Sequence, residues 1–322
     1  MKAGPTMRTI QRWMAVLAML AVWIGGADAA TYYVDSVAGN DNNAGTSISA
    51  PWKNLTKIGS RSYQPGDKIL LKRGSLWRQT LTVPSSGSTA VPIVIEAYGS
   101  GPRPNLRGAN LLSGFTQHSG NIWKLSLASS PTQVFFNEVR GAKQTTLSSV
   151  NAARKWYWSG GILYVYSAGS PATVYTAPGI EATARDHAVN FNSKSNVIVR
   201  GLQLEKTRGN VVFMSNTIAN CTLEDCILLQ GPPDPSADNA AVLLSSNSVA
   251  CEVKDCDRRE HRLGQRDRRP GLGRLQRDSD QGPRPSRVRQ LRLSQRDRER
   301  ERLRLQHFGN PAGDHGGQGG NL

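Results

Sequence analysis

The chain has 322 residues and a formal net charge of +16, from 40 lysines and arginines against 24 acidic residues. The charge is uneven, because residues 257–322 hold 17 arginines, no lysine and nine acidic residues, whereas residues 30–256 carry only +6. This imbalance excludes reading the basicity as a nucleic-acid signature of the whole chain, so we expect no specific nucleic-acid partner. The mild surplus over residues 30–256 is compatible with an acidic ligand.

Residues 1–29 have the pattern of a secretory signal peptide. Three basic residues precede an apolar run from residue 13 to residue 24, and an A-x-A cleavage motif follows at residues 27–29. Such a run is too short to span a bilayer comfortably, but it suits the apolar centre of a signal peptide. We therefore expect a secreted protein, extracellular or periplasmic, that starts at Ala30 and has no membrane span after cleavage.

From residue 30 onward, short β-branched runs bounded by Gly, Pro, Asn and Ser indicate an all-β protein. In chain order these runs include TYYVDS, KILLKR, PIVIEAYG, QVFFNEV, ILYVYS and ATVY. No convincing helical periodicity accompanies them. Residues 109–180 do not share the spacing of the later runs, and we expect them to form a β-rich insertion.

Three segments repeat one another, at residues 195–204, 219–228 and 249–257, with offsets of 24 and 30 residues. A second short strand precedes each of them. The aligned positions are Val197, Cys221 and Cys251; Val199, Leu223 and Val253; Gly201, Asp225 and Asp255; and Leu202, Cys226 and Cys256. One such unit cannot bury its apolar face alone, whereas stacked units share a core. A strand-based period in the twenties therefore predicts a parallel β-solenoid over residues 30–256.

The four cysteines form two C-x4-C pairs, one repeat apart. Zinc sites generally use tighter spacing, which disfavours a zinc site. In a solenoid, equivalent positions stack about 4.8 Å apart. Two interpretations follow: ladders of free thiols that fill the core, which we favour, or the disulfides Cys221–Cys251 and Cys226–Cys256, formed in an oxidising compartment.

The N-terminal segment carries a more specific resemblance. Its matching pieces are Tyr32-Tyr33-Val34, Gly39-Asn40-Asp41, Gly45-Thr46, Pro51-Trp52, Pro65-Gly66-Asp67, Gly74 and Tyr98-Gly99. In these pieces the chain resembles the opening of secreted right-handed parallel β-helix proteins of the pectate-lyase-like superfamily, over roughly residues 31–256. The resemblance implies a right-handed parallel β-helix. It is much less specific for activity, because the superfamily contains lyases, hydrolases, epimerases and non-catalytic proteins, and fold alone does not give function.

In the lyases of this superfamily, calcium held by carboxylates neutralises a substrate uronate, and a Lys or Arg removes the neighbouring proton. The best local match to such a carboxylate cluster is Asp225 stacked on Asp255, so we name this pair as a candidate Ca²⁺ site; turn-capping aspartates are the alternative. Arg200, Lys206 and Lys254 are available bases. No family motif selects any of them, and the catalytic residues stay unassigned.

Trp156 and Trp158, in the sequence KWYWS, are candidate substrate-binding residues, since aromatic faces suit sugar rings. The alternative is that strand alternation buries them in the core of the insertion.

Residues 257–322 break the repeat abruptly and contain no Ile, Thr, Tyr, Trp, Met, Cys or Lys. Such an arginine-rich segment is expected to be disordered. The tetrapeptide QRDR occurs at 265–268 and 295–298, and a one-nucleotide shift of suitable codons converts it to Asn-Gly-Ile-Ala, a plausible solenoid turn. We infer a frameshift near codon 257; the alternative is a genuine basic tail.

Taken together, these observations favour a secreted, monomeric β-helix protein whose intact parent acts as a lyase on acidic polysaccharide, while the chain as written is inactive. The alternative is a non-catalytic carbohydrate-binding or cell-surface protein on the same scaffold.

Overall fold

The computed structural model describes residues 29–214, 217–231, 241–244 and 248–259, and nearly all regular structure in these ranges is β. The helices described are one turn each, α1 (Thr56–Gly59) and α2 (Pro171–Val174), with a 3-10 turn at Leu147–Ser149. Apart from Ala29 and residues 257–259, the predicted signal peptide and arginine-rich tail lie outside the described residues.

Three of the sheets are parallel. Sheet I contains β1 (Thr31–Val34), β2 (Lys68–Lys72), β5 (Ile93–Tyr98), β17 (Val197–Arg200), β20 (Thr222–Glu224) and β23 (Glu252–Lys254). Sheet II contains β3 (Leu76–Trp77), β6 (Asn105–Arg107), β18 (Gln203–Glu205), β21 (Ile227–Leu229) and β24 (Asp257–Arg259). Sheet III contains β4 (Leu81–Thr82), β16 (Val189–Asn190), β19 (Val212–Met214) and β22 (Val242–Leu244).

The chain visits sheets I, II and III in turn and then returns to sheet I, as β17 to β19 and β20 to β22 show. This recurring order fits the predicted parallel β-helix, because each coil adds one parallel strand to every sheet. Val199 pairs with Leu223, and Leu223 pairs with Val253, as the repeat alignment predicts. Gly201, Asp225 and Asp255 all have positive φ, of 74°, 48° and 50°, so the aligned turn position keeps one backbone conformation.

The inward positions of the three sheets form one apolar core. In sheet II the register makes a column from Trp77, Leu106, Leu204 and Leu228, whose exposed fractions are all 3% or less. Segments before β2 cover the first coil with Trp52, Leu55, Ile58 and Tyr63, all buried. Gly45 lies against this cover at φ +76°, and a Cβ there would come within 2.2 Å of the Trp52 ring.

The four cysteines are free thiols, and they stack in the predicted order. Glu252 N–H donates to the Cys221 carbonyl (2.8 Å) and Asp257 N–H donates to that of Cys226 (2.9 Å), which brings Cys221 beside Cys251 and Cys226 beside Cys256. Burial raises the pKa of Cys221 to about 11. The neighbouring Cys256 thiol, together with burial, raises the pKa of Cys226. The structure therefore has the thiol ladders that we favour.

Two antiparallel sheets lie between β6 and β16. Sheet IV contains β7 (Ala109–Leu112), β10 (Val134–Phe136), β11 (Val139–Arg140) and β15 (Ile180–Thr183). Sheet V contains β8 (Thr116–Ser119), β9 (Ile122–Ser126), β12 (Ala142–Lys143), β13 (Lys155–Ser159) and β14 (Ile162–Tyr166), in which β12 and β13 alone are parallel. These strands bury a second core of their own, formed by Val134, Phe136, Trp156, Leu163, Val165, Ile180 and Ala182.

Candidate functional site

A cluster of three acidic and three basic side chains joins the antiparallel sheets to sheet II. Its members are Arg78, Arg107, Glu138, Glu181, Glu205 and Lys206. We call them the junction cluster. They come from the end of β3, from β6, from the turn between β10 and β11, from β15, and from the end of β18. Strand pairing therefore brings together residues that are up to 128 positions apart in the sequence.

Lys206 is the centre of the junction cluster. Its side chain is fully buried, and its Nζ forms ion pairs with Glu138 and with Glu181. Its Nζ also lies 4.9 Å from the centroid of the Phe135 ring, a cation–π arrangement. Lys206 has a φ of 55°, so the chain turns out of sheet II at the residue that carries this buried charge.

Arg107 links all three carboxylates. Its Nη1 is 3.0 Å from an oxygen of Glu138 and 3.0 Å from an oxygen of Glu181, while its Nε pairs with Glu205. Glu205 also accepts a hydrogen bond of 2.8 Å from Asn105 Nδ2. Although burial lowers the pKa of Arg107, the three carboxylates outweigh burial and raise that pKa above its ordinary value.

Glu181 is fully buried and is held by three cations. Burial alone would raise its pKa, but Lys206, Arg107 and Arg78 outweigh burial and keep the pKa below its ordinary value of 4.5. A general acid at neutral pH needs the opposite shift. Glu181 therefore acts as a fixed negative charge, and the junction cluster holds the two parts of the structure together.

The candidate bases differ in their surroundings. Lys206 belongs to the junction cluster, whereas the other two lie on the outer face of sheet I. Arg200 pairs with Glu96 at 2.6 Å, and Lys254 pairs with Glu224 at 3.6 Å. All three are therefore in ion pairs.

The two candidate substrate-binding tryptophans face the core of the antiparallel sheets. Trp156 is 1% exposed, and Trp158 is partly buried against the same core, with its indole N–H donating to the Leu127 carbonyl at 2.8 Å. Strand alternation explains this placement and favours the core alternative. A substrate-binding role for Trp156 and Trp158 stays a prediction.

The opposite face of sheet V carries tyrosines. Tyr157 pairs with Tyr164 across the strands, and their rings are 6.2 Å apart between centroids at an angle of 24°. The His118 ring lies 5.2 Å from the Tyr164 ring. We call these three residues the tyrosine face. The sequence analysis named Trp156 and Trp158, which lie on the other face of β13, and did not name Tyr164 or His118.

The candidate metal residues lie at exposed turns. Asp225 has 56% of its side chain exposed, and Arg103 binds both carboxylate oxygens, at 2.7 and 2.9 Å. The hydrogen bonds from Arg103 lower the pKa of Asp225. Asp255 is also exposed. Over the described ranges, no three His, Cys, Asp or Glu side chains are grouped in a way that could hold a metal ion. Calcium binding at Asp225 and Asp255 stays a prediction. Arg103 already donates hydrogen bonds to both carboxylate oxygens of Asp225.

An open groove of about 440 Å³ lies at the end of sheet IV. It is lined by residues 111–115, 170–172, 175–176 and 178–180. Its position is independent of the junction cluster, whose side chains do not line it.

No helix among the described residues is long and apolar enough to cross a membrane.

No family model matches the chain. The lacto-N-biosidase of Bifidobacterium longum subsp. longum is 48% identical over 73 residues, which are 21% of this chain and 5% of that relative. The chain therefore corresponds to a very small part of the relative's length.

Among solved structures, XylC in complex with xylose aligns with a TM-score of 0.52 and 14% identity, over 62% of this chain and 40% of the XylC chain. This likeness concerns the fold. The lacto-N-biosidase of Eubacterium ramulus aligns at a TM-score of 0.41 and 18% identity, over 79% of this chain and 38% of that chain. Pectate lyase Pel9A aligns at 0.37 and 14% identity, over 72% and 48%. These two scores are too low to support an argument.

Proposed function

We propose that this chain is part of a secreted, monomeric, glycan-degrading protein built on a right-handed parallel β-helix. The observation that carries the proposal is the 73-residue match, at 48% identity, to a protein named as a lacto-N-biosidase. The three parallel sheets, visited in a fixed order, supply a scaffold of the expected kind. A carbohydrate-active role is thus the function that the sequence match and the sheet arrangement support together.

The reaction that we favour is hydrolysis of a glycosidic bond. Glycosidases of the common type need two carboxyl groups, one of which must stay protonated near neutral pH. The junction cluster does not meet this requirement, because its cations match its carboxylates in number and the pKa of Glu181 is lowered. We therefore do not assign the catalytic carboxylates to the junction cluster.

Lyase action on an acidic polysaccharide is the mechanism that the sequence resemblance favours, with Ca²⁺ as its cofactor. It differs from hydrolysis in its product, because β-elimination leaves an unsaturated sugar that absorbs ultraviolet light. A non-catalytic binding or surface protein would form neither product.

The experiment compares the chain as written with a version whose reading frame is restored after codon 257. Each protein is incubated with neutral oligosaccharides, pectate, alginate and glycosaminoglycans, with and without a chelator. We expect new reducing ends without ultraviolet absorbance from the restored protein. Chelator-sensitive absorbance would establish the lyase instead, and the absence of any product from every substrate would favour a binding protein.

A further inference from the structure

The open groove of sheet IV combines an apolar floor with aromatic walls. Its floor is the register pair Leu112 and Ile180, at the end where β7 meets β15. The rings of Phe115 and Tyr175 stand beside this floor, and both are partly exposed. The Tyr175 ring packs against the Phe136 ring in an edge-to-face arrangement, at 5.1 Å between centroids. A partly exposed ring that the core holds in place is a preformed contact surface.

The rim of the groove is polar but uncharged. Ser113, Ser170 and Thr176 bring hydroxyl groups to it, and none of its described lining residues carries a charge. Arg185, the cation nearest in sequence to β15, donates to Asn110 Oδ1 at 2.8 Å and does not line the groove. A carboxylate ligand in this groove would therefore lose water without gaining a counter-charge, which is unfavourable.

A neutral sugar ring has the complementary chemistry. Its C–H groups form an apolar face that covers an aromatic ring, while its hydroxyl groups point outward, where Ser and Thr hydroxyls can donate and accept. The groove volume of about 440 Å³ lies within the range of ~300–1,000 Å³ that is usual for small-molecule sites. We propose that this groove binds one or two uncharged sugar units of a glycan. The proposal rests on the proposed glycan-directed function and names the class of sugar that it takes.

Ala172 provides a way to block the groove without disturbing either core. It is exposed, it lies on α2 and it lines the groove. Ala172→Trp would fill the space beside Phe115 and Tyr175. Val174→Trp is the matched control, because Val174 is 40% exposed on the same helix but does not line the groove.

Binding is measured by calorimetry on the full chain, with lactose, cellobiose and xylobiose as neutral probes and digalacturonate as the charged probe. We expect at least one neutral disaccharide to bind with a Kd below about 10 mM, Ala172→Trp to weaken it by about tenfold or more, and Val174→Trp to leave it unchanged. Tighter binding of digalacturonate, equal binding by Ala172→Trp, or no neutral binding below that Kd would each overturn the proposal.

A further variant separates this groove from the tyrosine face. Tyr164→Ala removes the central ring of that face and should leave disaccharide binding unchanged. If Tyr164→Ala abolishes binding and Ala172→Trp does not, the tyrosine face is the subsite and the groove is not. Failure of this binding test leaves the cleavage assay intact, so the inference and the proposed function can fail separately.

Discussion

Lys206 is the residue on which the joint between the two parts of the structure depends. A fully buried ammonium group is tolerated only where carboxylates compensate it, and here Glu138 and Glu181 do so. The sequence gives no hint of this role, because Lys206 looks like any other lysine at the end of a strand. Its partners come from segments 68 and 25 residues earlier in the chain, and only the fold brings them together.

Replacement of this lysine tests the joint. Lys206→Met keeps the length of the side chain but leaves Glu181 buried with one cation fewer, so we expect a loss of about 3–5 kcal/mol in the free energy of unfolding. Lys254→Met removes a surface pair and should cost less than about 1 kcal/mol. Urea denaturation followed by tryptophan fluorescence measures both. Equal losses of unfolding free energy in the two variants would show that the buried ion pairs of Lys206 stabilise the fold no more than a surface pair does.

Glu181 predicts how stability depends on pH. Its folded-state pKa lies below its ordinary value of 4.5, so the folded state favours the ionised form more than the unfolded state does. The contribution is therefore present above the unfolded pKa and is lost as pH falls through the lowered folded pKa. We expect the free energy of unfolding to fall below pH 4.5, and to fall less steeply in Glu181→Gln. The free energy of unfolding is measured by urea titration from pH 7 to pH 3. The same dependence on pH in the unchanged chain and in Glu181→Gln would contradict this assignment.

The register of the parallel strands was the feature of the fold that the sequence could predict best. Apolar residues that recur at the aligned positions of successive strands must face one core, and a shift by one residue would expose all of them. The same register aligns charged residues on the outer face of sheet I. One column there has alternating sign and contains Glu96, Arg200, Glu224 and Lys254. The side of KWYWS that faces the core could not be predicted, because alternation leaves two choices and only tertiary packing selects between them.

The cysteine columns predict that the four thiols differ in reactivity. Cys221 and Cys226 are buried, whereas Cys251 and Cys256 are partly exposed. In the folded, non-reduced protein we expect iodoacetamide at pH 8 to modify Cys251 and Cys256 much faster than the buried pair, since alkylation needs an accessible thiolate. In urea, mass spectrometry should show four adducts. No adducts before reduction would establish the two disulfides instead.

The last described strand pairing of sheet II reaches into the arginine-rich segment. Leu228 pairs with residue 258, which is an arginine, although Trp77, Leu106, Leu204 and Leu228 precede it in that column. A core column of a β-helix is expected to continue with an apolar residue. The frameshift near codon 257 stays a prediction. The N-terminal resemblance could indicate the fold but not the chemistry, because fold alone does not give function.

Sequencing of the source DNA across codons 250–265 tests the frame. We expect one nucleotide to be gained or lost close to codon 257, and the corrected frame to place an apolar residue at position 258. An unaltered frame would support the alternative of a genuine basic tail.

The antiparallel sheets form one insertion in a single coil, between β6 and β16. In the coil with the insertion, 81 residues, 108 to 188, join β6 of sheet II to β16 of sheet III. In the next coil, only six residues join β18 of sheet II to β19 of sheet III. The two ends of this long excursion nevertheless touch, because Ala184 N–H donates to the Gly108 carbonyl at 2.9 Å. The insertion therefore starts and finishes at neighbouring points of the scaffold, so its length and content can change without altering the strand register of the coil.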